Sequence, residues 1–325
     1  MPAAVTENDP LACEFPLPLR GHYFPNGIPL HVETNSNEIL AALDPAWMRY
    51  PARPGAHPVT LRVMVEGRNA LNTVRPSMPI GQGHVISMVH GPDNFAVCDL
   101  SASFTFARLT QDVAADGACA RYHFLDPAVY LMIEAHHFCP VHASCISLKG
   151  RAILLCGNSG AGKTSLAYAC AKKGWAFLSG DATYIVRERP DPIVAGRPFS
   201  IRFRAEAREL FPELGAWQPE RRPDGKPDLE IDTDELGMTV ALESKACCMV
   251  FLNRQNGYAH AGVAPFPVTE AFLQCSKAIS FGGHDIRAGQ IRALSGFLNL
   301  PLVELTYSDF AGAEKQLREI ATRAL

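Results

Sequence analysis

The stretch RAILLCGNSGAGKTSLAYAC, residues 151–170, contains the pattern around which the rest of the sequence is organised. Its segment Gly157–Thr164 matches G-x-x-x-x-G-K-[ST] at every fixed position. The apolar run 152–156 before it predicts a buried strand, and residues 165–173 after it predict a helix that ends at Gly174. A glycine-rich turn from strand to helix surrounds an anion with main-chain N–H groups at the positive end of the helix. The pattern therefore predicts a phosphate-binding loop rather than an ordinary turn with a chance lysine.

Individual loop residues have expected roles. Lys163 is expected to reach the β- and γ-phosphates of a nucleoside triphosphate, and the hydroxyl of Thr164 is expected to ligate Mg²⁺. Ser159 is expected to form supporting hydrogen bonds rather than to act as a nucleophile. The residues expected to line the phosphates are Gly157, Asn158, Ser159, Gly160, Ala161, Gly162, Lys163, Thr164 and Ser165. The loop fits ATP or another nucleoside triphosphate. The sequence does not choose between them, because no motif identifies residues that would bind the base.

Composition and charge limit the classes of protein to consider. The chain has 325 residues, of which 47% are hydrophobic, and this favours a globular fold with two domains or one elaborated domain. The net charge of -3 comes without a basic block, which argues against a nucleic-acid partner. No signal sequence and no apolar run of membrane-spanning length is visible, so no membrane partner is expected. Ten scattered cysteines without a C-x-x-C pair indicate buried thiols in a reducing cytoplasm rather than a disulfide framework or a zinc site.

The first part of the chain predicts a β-rich domain. Residues 1–15 are polar and are expected to fray. Residues 16–130 contain short strand-like runs cut by proline and glycine, such as IPLHVET, VTLRVMVEG, HVISMVH and SASFTFARLT. NSNEILAALDPAW between them predicts a short helix, and YPARPGAHP predicts a loop.

Residues 131–325 predict an α/β domain around the loop. DPAVYLMIEAHHFCP predicts a helix that has Val129, Met132 and Ile133 on one side and stops before Pro140. HASCISLKG and RAILLCG predict two strands joined by a tight Lys149-Gly150 turn, and WAFLSGDATYIVRE predicts one strand that delivers Asp181. The segments AEARELFPELG, VTEAFLQCSKAIS and AGQIRALSGFLN predict helices, and the closing segment DFAGAEKQLREIATRAL predicts a helix capped by Asp309.

The stretch HASCISLKGRAILLCGNSGAGKTSLAYACAKKGWAFLSGD resembles the kinase domain of HPr kinase/phosphorylase and the related serine kinases. The resemblance extends through GRPFSIRFR, DGKPDLEIDTDEL, VFLNR and LPLVELTYSDFAGAEKQL, and it covers roughly residues 135–325. It implies a phosphoenolpyruvate-carboxykinase-like P-loop fold with a mixed sheet. It also implies transfer of the γ-phosphoryl group of ATP, with Mg²⁺, to a serine-type hydroxyl of a protein, a peptide or a small molecule that the sequence does not identify. Members of the family often form dimers or hexamers, so a homo-oligomer is implied as well.

One position departs from the family. The tandem acid pair of the family falls on Gly180 and Asp181, so the first acid is glycine in this sequence. The resemblance implies that Asp181 is either a Mg²⁺ ligand or the base. The structural alternative is that Asp181 forms an Asx turn. Loss of the first acid raises a second hypothesis, a non-catalytic nucleotide sensor or assembly subunit. A carboxykinase acting on a small acid is a third and weaker hypothesis.

Four further residues are candidates. His142 resembles the family histidine near the phosphates and is the first substitute for proton handling, with a histidine satisfied on a strand as the alternative. Arg202 and Arg204 alternate on a predicted strand and share a face, which suits either a phosphate clamp or a solvated surface. Lys226 resembles the basic residue of a loop that closes over substrate phosphate in the family, and a surface β-turn competes with that interpretation.

Overall fold

The computed structural model describes residues 15–67, 79–187, 189–221, 225, 227–255, 257 and 261–323. These residues fold into two compact units. The first unit comprises the described residues up to His137 together with residues 281–287, and the second comprises those from Phe138 to Ser280 and from Ala288 onward. Within these ranges, no helix is both long and apolar enough to cross a lipid bilayer.

A mixed sheet forms the first unit. Its strands in the described ranges are β1 (Leu19–Tyr23), β2 (Leu30–Thr34), β3 (Val59–Val65), β4 (Ile80–Gln82), β5 (Val85–His90), β6 (Asn94–Asp99) and β7 (Phe104–Leu109). Its α-helices are α1 (Asn37–Ala42), α2 (Gln111–Ala115), α3 (Gly117–Ala120) and α4 (Asp126–His136), and a π-helical turn, Arg121–Leu125, joins α3 to α4. The strand order is β1-β2-β3-β7-β6-β5-β4, in which β3 runs parallel to β2 and β7. Strands β2, β3, β5 and β7 confirm the four runs predicted from alternation and turn residues.

Helix α4 covers one face of this sheet. It packs against β3, β6 and β7, and the residues predicted to share its apolar side, Val129, Met132 and Ile133, are completely buried. Trp47, also completely buried, donates a hydrogen bond from Nε1 to the hydroxyl of Tyr130 at 3.1 Å. The hydrogen bond satisfies the one polar atom of the indole, so the ring is buried without an unpaired donor.

The second unit contains the phosphate-loop motif. Its described strands are β8 (Phe138–Leu148), β9 (Arg151–Cys156), β10 (Ala176–Ser179), β11 (Ala182–Val186), β12 (Ile193–Gly196), β13 (Ser200–Arg204), β14 (Glu220–Arg221), β15 (Pro227–Asp232), β16 (Glu243–Arg254), β17 (Gly262–Pro265) and β18 (Leu302–Tyr307). Its helices are α5 (Lys163–Ala171), α6 (Ala207–Leu210), α7 (Val268–Cys275), the part of α8 (His284–Phe297) from Ala288 onward, and α9 (Phe310–Thr322).

Two sheets organise these strands. The larger sheet has the order β10-β8-β11-β12-β16-β18-β17, and β9 pairs with both β8 and β16. Strands β9, β16 and β18 are parallel to one another, whereas the remaining pairs are antiparallel. Strands β13, β15 and β14 form a small antiparallel sheet. The described residues therefore form a mixed α/β structure with mixed sheets, as the sequence predicted.

The side chains of strand β9 show that helices cover both faces of the large sheet at this strand. Ile153 and Leu155 belong to a core with residues of α5 and α9. Leu154 and Cys156 belong to a second core with residues of α7 and α8. Successive side chains of a strand point to opposite faces, so an unbroken apolar run is what a strand covered by helices on both sides requires.

The β8–β9 hairpin confirms a turn predicted from two residues. Leu148 pairs with Arg151, so Lys149 and Gly150 are the two turn residues. Their φ values are +52° and +78°, the left-handed region required at both centres of a type I′ turn. Glycine adopts that region without cost, and the turn fixes the register of β8 against β9.

Two predicted elements are divided in the structure. The single strand predicted over 175–188 is two strands, β10 and β11, which both pair antiparallel with β8 and are separated by Gly180 and Asp181. The single helix predicted over 205–215 is the short helix α6 followed by the 3₁₀ turn Pro212–Ala216. Phe211 between them has φ −135° and ψ 86°, because the ring of Pro212 disfavours a helical conformation in the preceding residue.

Glu314, a buried carboxylate, anchors α9. The helix begins directly after its predicted cap, Asp309, which accepts a hydrogen bond from the N–H of Gly312. Glu314 is only 6% exposed. It accepts hydrogen bonds from Trp175 Nε1 at 2.9 Å and from Arg318 Nε at 2.8 Å. Burial by itself would raise the pKa of Glu314, but these hydrogen bonds and the charge of Arg318 lower it overall.

Candidate functional site

The loop between β9 and α5 has the conformation that its glycines permit. Strand β9 ends at Cys156 and α5 begins at Lys163. Gly162, immediately before α5, has φ +87° and ψ 16°, a left-handed conformation in which a side chain would be strained. A Cβ atom at this position would also lie 3.2 Å from the hydroxyl of Tyr307. The loop therefore approaches Tyr307 closely at the point where the helix starts.

Tyr307 contacts the loop through its hydroxyl group. It is the last residue of β18, is completely buried, and donates a hydrogen bond from its hydroxyl to the carbonyl of Ala161 at 3.3 Å. Burial raises the pKa of Tyr307 to about 12, so the hydroxyl remains a donor at neutral pH. Tyr307 was not identified from the sequence. Its position at the carboxyl end of a strand parallel to β9 is the signal that indicates it, because such ends gather at one edge of a sheet.

Lys163 is held inside the loop. The side chain is 6% exposed, and its Nζ lies 2.9 Å from the carbonyl oxygen of Gly157 and 3.3 Å from that of Asn158. Burial lowers the pKa of Lys163, an effect that the charge of Asp181 opposes. The ammonium group is therefore partly desolvated and is coordinated by carbonyl oxygens at the centre of the loop.

His142 links Lys163 to Asp181. The Nζ of Lys163 lies 3.2 Å from Nε2 of His142, and Nδ1 of His142 lies 3.1 Å from Oδ1 of Asp181. An ammonium group only donates hydrogen bonds, so Nε2 is the acceptor and Nδ1 carries the proton that is donated to Asp181. The result is a continuous chain of contacts from the loop lysine through an imidazole to a carboxylate.

The strand register explains this arrangement. Strand β11 pairs with β8 so that Ala182 lies opposite His142. Asp181 directly precedes Ala182 and is therefore brought beside the imidazole. The side chains of His142 and Asp181 are 51% and 73% exposed, so both can be reached from solvent.

The main-chain carbonyl of Gly180 accepts two hydroxyl donors. Thr164 Oγ1 donates to it at 2.9 Å, and the hydroxyl of Ser144 donates to it in a short hydrogen bond. Ser144 was not identified from the sequence, where it is one hydroxyl in an apolar strand. The hydrogen bond from Thr164 places this predicted magnesium ligand beside the turn that carries Asp181.

The two candidate arginines on β13 make different contacts. Arg204 donates a hydrogen bond to the hydroxyl of Ser159 in the loop at 2.8 Å. Arg202 instead forms an ion pair with Glu230, directly opposite on β15, at 2.8 Å. The structure therefore brings Arg204 to the loop and leaves Arg202 in a cross-strand pair on the small sheet. Lys226 lies outside the described residues.

Among the comparisons with known proteins, only the search of solved structures finds similar chains, and the likeness is distant. No family model matches the sequence, and a search of curated proteins finds no match. Among solved structures, the Hpr(Ser) kinase/phosphatase from Coxiella burnetii is similar over 55% of this chain and 88% of that chain. The two chains share 11% sequence identity, and the TM-score is 0.32.

Proposed function

We propose that this chain is a Mg²⁺- and ATP-dependent kinase of the HPr-kinase-like class, with the phosphoenolpyruvate-carboxykinase-like P-loop fold. The observation that carries the proposal is the contact chain Lys163–His142–Asp181, with distances of 3.2 Å and 3.1 Å. It connects the residue that would bind the phosphates to a pair that would accept a proton. Phosphoryl transfer to a hydroxyl is faster when both of these functions lie within one site.

The first step is binding of the triphosphate by the loop. The carbonyl groups of Gly157 and Asn158 that surround Lys163 are neutral. Phosphate oxygens are charged and form stronger hydrogen bonds with an ammonium group. A triphosphate in the loop therefore draws the Nζ of Lys163 toward its β- and γ-phosphates and away from His142.

The second step is removal of a proton from the acceptor. Once Lys163 has turned to the phosphates, Nε2 of His142 is available to accept the hydroxyl proton of the acceptor. Asp181 holds the imidazole in the required tautomer and stabilises the imidazolium that forms, as the acid does in an Asp–His pair. The acceptor oxygen bonds to the γ-phosphorus, the bond from that phosphorus to the bridging oxygen breaks, and ADP leaves. The His142–Asp181 pair would take over the role of the acid that the family has at position 180, where this chain has glycine.

Oxygen donors in the site suit Mg²⁺, which prefers hard oxygen ligands and keeps several waters. Thr164 supplies a hydroxyl, and Asp181 supplies a carboxylate whose Oδ1 contacts His142. When bound, Mg²⁺ would neutralise charge on the phosphates. Arg204 would add a positive charge at the loop through its contact with Ser159.

Calorimetric titration of Mg²⁺-ATP into the wild type and Lys163→Ala tests the nucleotide site. Losing charge-assisted hydrogen bonds worth about 1.5–3 kcal/mol weakens binding by roughly 10- to 100-fold. Lys315→Ala, which removes an exposed lysine from α9, is the matched control and should bind as the wild type does. Equal binding by wild type and Lys163→Ala would refute the proposed site. Acceptors are then screened with γ-labelled ATP.

Gly180 favours a second candidate function, a nucleotide sensor or assembly subunit that does not transfer phosphate. A Cβ atom at position 180 would lie 3.5 Å from Thr164 Cγ2 and 3.6 Å from Phe177 Cζ, which is ordinary van der Waals contact. The variant Gly180→Asp can therefore restore the acid without a clash at Cβ. A strong rise in transfer would support a kinase that works slowly, whereas tight binding without transfer in both proteins would support the sensor.

A further inference from the structure

Three potential metal ligands converge in the first unit. His90 ends β5, Cys119 lies in α3, and His123 lies in the π-helical turn that follows α3. One ligand atom from each of the three residues lies within 4.8 Å of the other two. We propose that these residues bind one divalent cation of the zinc class. The proposal is independent of the proposed kinase site, which lies in the second unit.

The distance between Cys119 and His90 suits a tetrahedral ion. Zinc bonds of about 2.3 Å to sulfur and about 2.1 Å to nitrogen, at tetrahedral angles, place the sulfur and nitrogen about 3.6 Å apart. The Sγ of Cys119 lies 3.8 Å from Nδ1 of His90. For this pair, a small side-chain rotation closes the difference of about 0.2 Å.

The chemistry of the donors selects the ion. Thiolate and imidazole together favour zinc-class cations, whereas Mg²⁺ and Ca²⁺ prefer oxygen. His90 is 9% exposed and Cys119 is 5% exposed, so two of the donors lie in a region of low dielectric. His123 is partly exposed and gives a cation access to the cluster. Three protein ligands leave one position of a tetrahedral ion for water or an exogenous ligand.

Neighbouring groups hold the donors in place. The carboxylate of Asp116 accepts a hydrogen bond from the main-chain N–H of Cys119 at 3.0 Å. The ring of His90 stacks on that of Phe124, with centroids 6.4 Å apart, and meets the ring of His123 edge-on, with centroids 5.4 Å apart. Side chains fixed in this way lose little freedom when a cation binds.

The helical geometry explains why Cys119 and His123 can act together. Residues four apart on a helix share a face, so C-x-x-x-H presents both donors to one side. The second donor lies in a π-helical turn, a local widening that occurs frequently at functional sites. No zinc site was predicted from the sequence because the absence of C-x-x-C pairs was the ground for that prediction, and this pattern has only one cysteine.

Titration of Co²⁺ into the full-length, chelator-treated protein tests the proposal. Co²⁺ reports thiolate ligation by a charge-transfer absorption band, and Zn²⁺ should displace it. We expect one equivalent to bind to the wild type, Cys119→Ser to lose the band, and His123→Gln to bind at least about tenfold more weakly. Cys98→Ser removes another buried thiol of the same unit and should keep the band.

Three outcomes would overturn the proposal. The first is no binding of Co²⁺ or Zn²⁺ to the wild type, a result that does not depend on any variant folding. The second is a thiolate band that persists in Cys119→Ser. The third is equal loss of the band in the control Cys98→Ser. Circular dichroism of each metal-free variant checks that its fold is retained.

Discussion

His142→Ala is the most informative change at the proposed kinase site. The wild-type imidazole has Nε2 3.2 Å from Lys163 Nζ and Nδ1 3.1 Å from Asp181 Oδ1. Removing it takes away the proposed proton acceptor and leaves Lys163 with its two carbonyl contacts in the loop. General-base catalysis contributes about 10²- to 10⁴-fold to rate. We therefore expect the transfer rate to fall by that factor, which corresponds to about 2.7–5.4 kcal/mol of barrier.

Binding of Mg²⁺-ATP should change much less than the rate. The one hydrogen bond lost by Lys163 is worth about 0.5–1.5 kcal/mol, which limits the change in Kd to roughly tenfold or less. In the proposed mechanism Lys163 has also left His142 when nucleotide is bound. A large loss of rate with a small change in Kd is therefore the expected pattern.

The assay is single-turnover release of ADP from Mg²⁺-ATP with enzyme in excess, using water until an acceptor is identified. Because the His142 side chain is 51% exposed, its removal opens a space that solvent reaches, and added imidazole should restore part of the rate. The control is His284→Ala, which removes an exposed histidine that also contacts an aspartate, Asp285, at 3.4 Å. It should behave as the wild type does.

Two results would refute the reasoning. If His142→Ala retains the wild-type rate within about threefold, the imidazole does not accept the proton that limits transfer. If the rate falls but imidazole restores nothing and Mg²⁺-ATP binding is lost in parallel, the residue has only a structural role.

Three further predictions concern other parts of the second unit. Gly180→Asp should raise the single-turnover rate of ADP release if the missing acid limits transfer, and an unchanged rate would contradict that expectation. Tyr307→Phe removes the hydrogen bond to Ala161. Its loss should lower the free energy of unfolding by about 0.5–1.5 kcal/mol and weaken Mg²⁺-ATP binding up to roughly tenfold. A Kd equal to that of the wild type would show that this bond does not order the loop. Glu314→Gln should cost about 1–3 kcal/mol at neutral pH, because Trp175 Nε1 loses a charged acceptor. Since the folded-state pKa of Glu314 is lowered, this stabilisation is present above about pH 4.5 and is lost as the pH falls through the folded-state pKa, so denaturant titrations of the two proteins should converge in acid.

Several features were predictable because they depend on contiguous residues. The Lys149-Gly150 turn requires two left-handed residues, and a pair ending in glycine indicates it. The apolar side of α4 follows from helical periodicity, and the buried residues Val129, Met132 and Ile133 confirm it. The strand–loop–helix around residues 151–170 likewise follows from a local run of residue types.

Other features depend on which strands pair, and the local pattern does not contain that information. Arg202 and Arg204 have the same local pattern on one strand face, yet one pairs with Glu230 and the other contacts the loop. Both arginines lie opposite an acid on β15, Glu230 for Arg202 and Asp228 for Arg204, so only the approach of the loop that follows β9 distinguishes them. The two strands into which residues 175–188 divide are likewise defined by their partner, because β10 and β11 both pair with β8.

The sequence by itself determined the loop Gly157–Thr164 and the elements on either side of it, because strand period, helix period and turn chemistry act over a few neighbouring residues. The tertiary structure alone decided that His142 lies between Lys163 and Asp181, and that His90 meets Cys119 and His123. The contacts join groups on different elements, such as His90 and Cys119, which are 29 residues apart. Strand register and helix packing bring them together, and both are set by burial of the whole core rather than by any one segment.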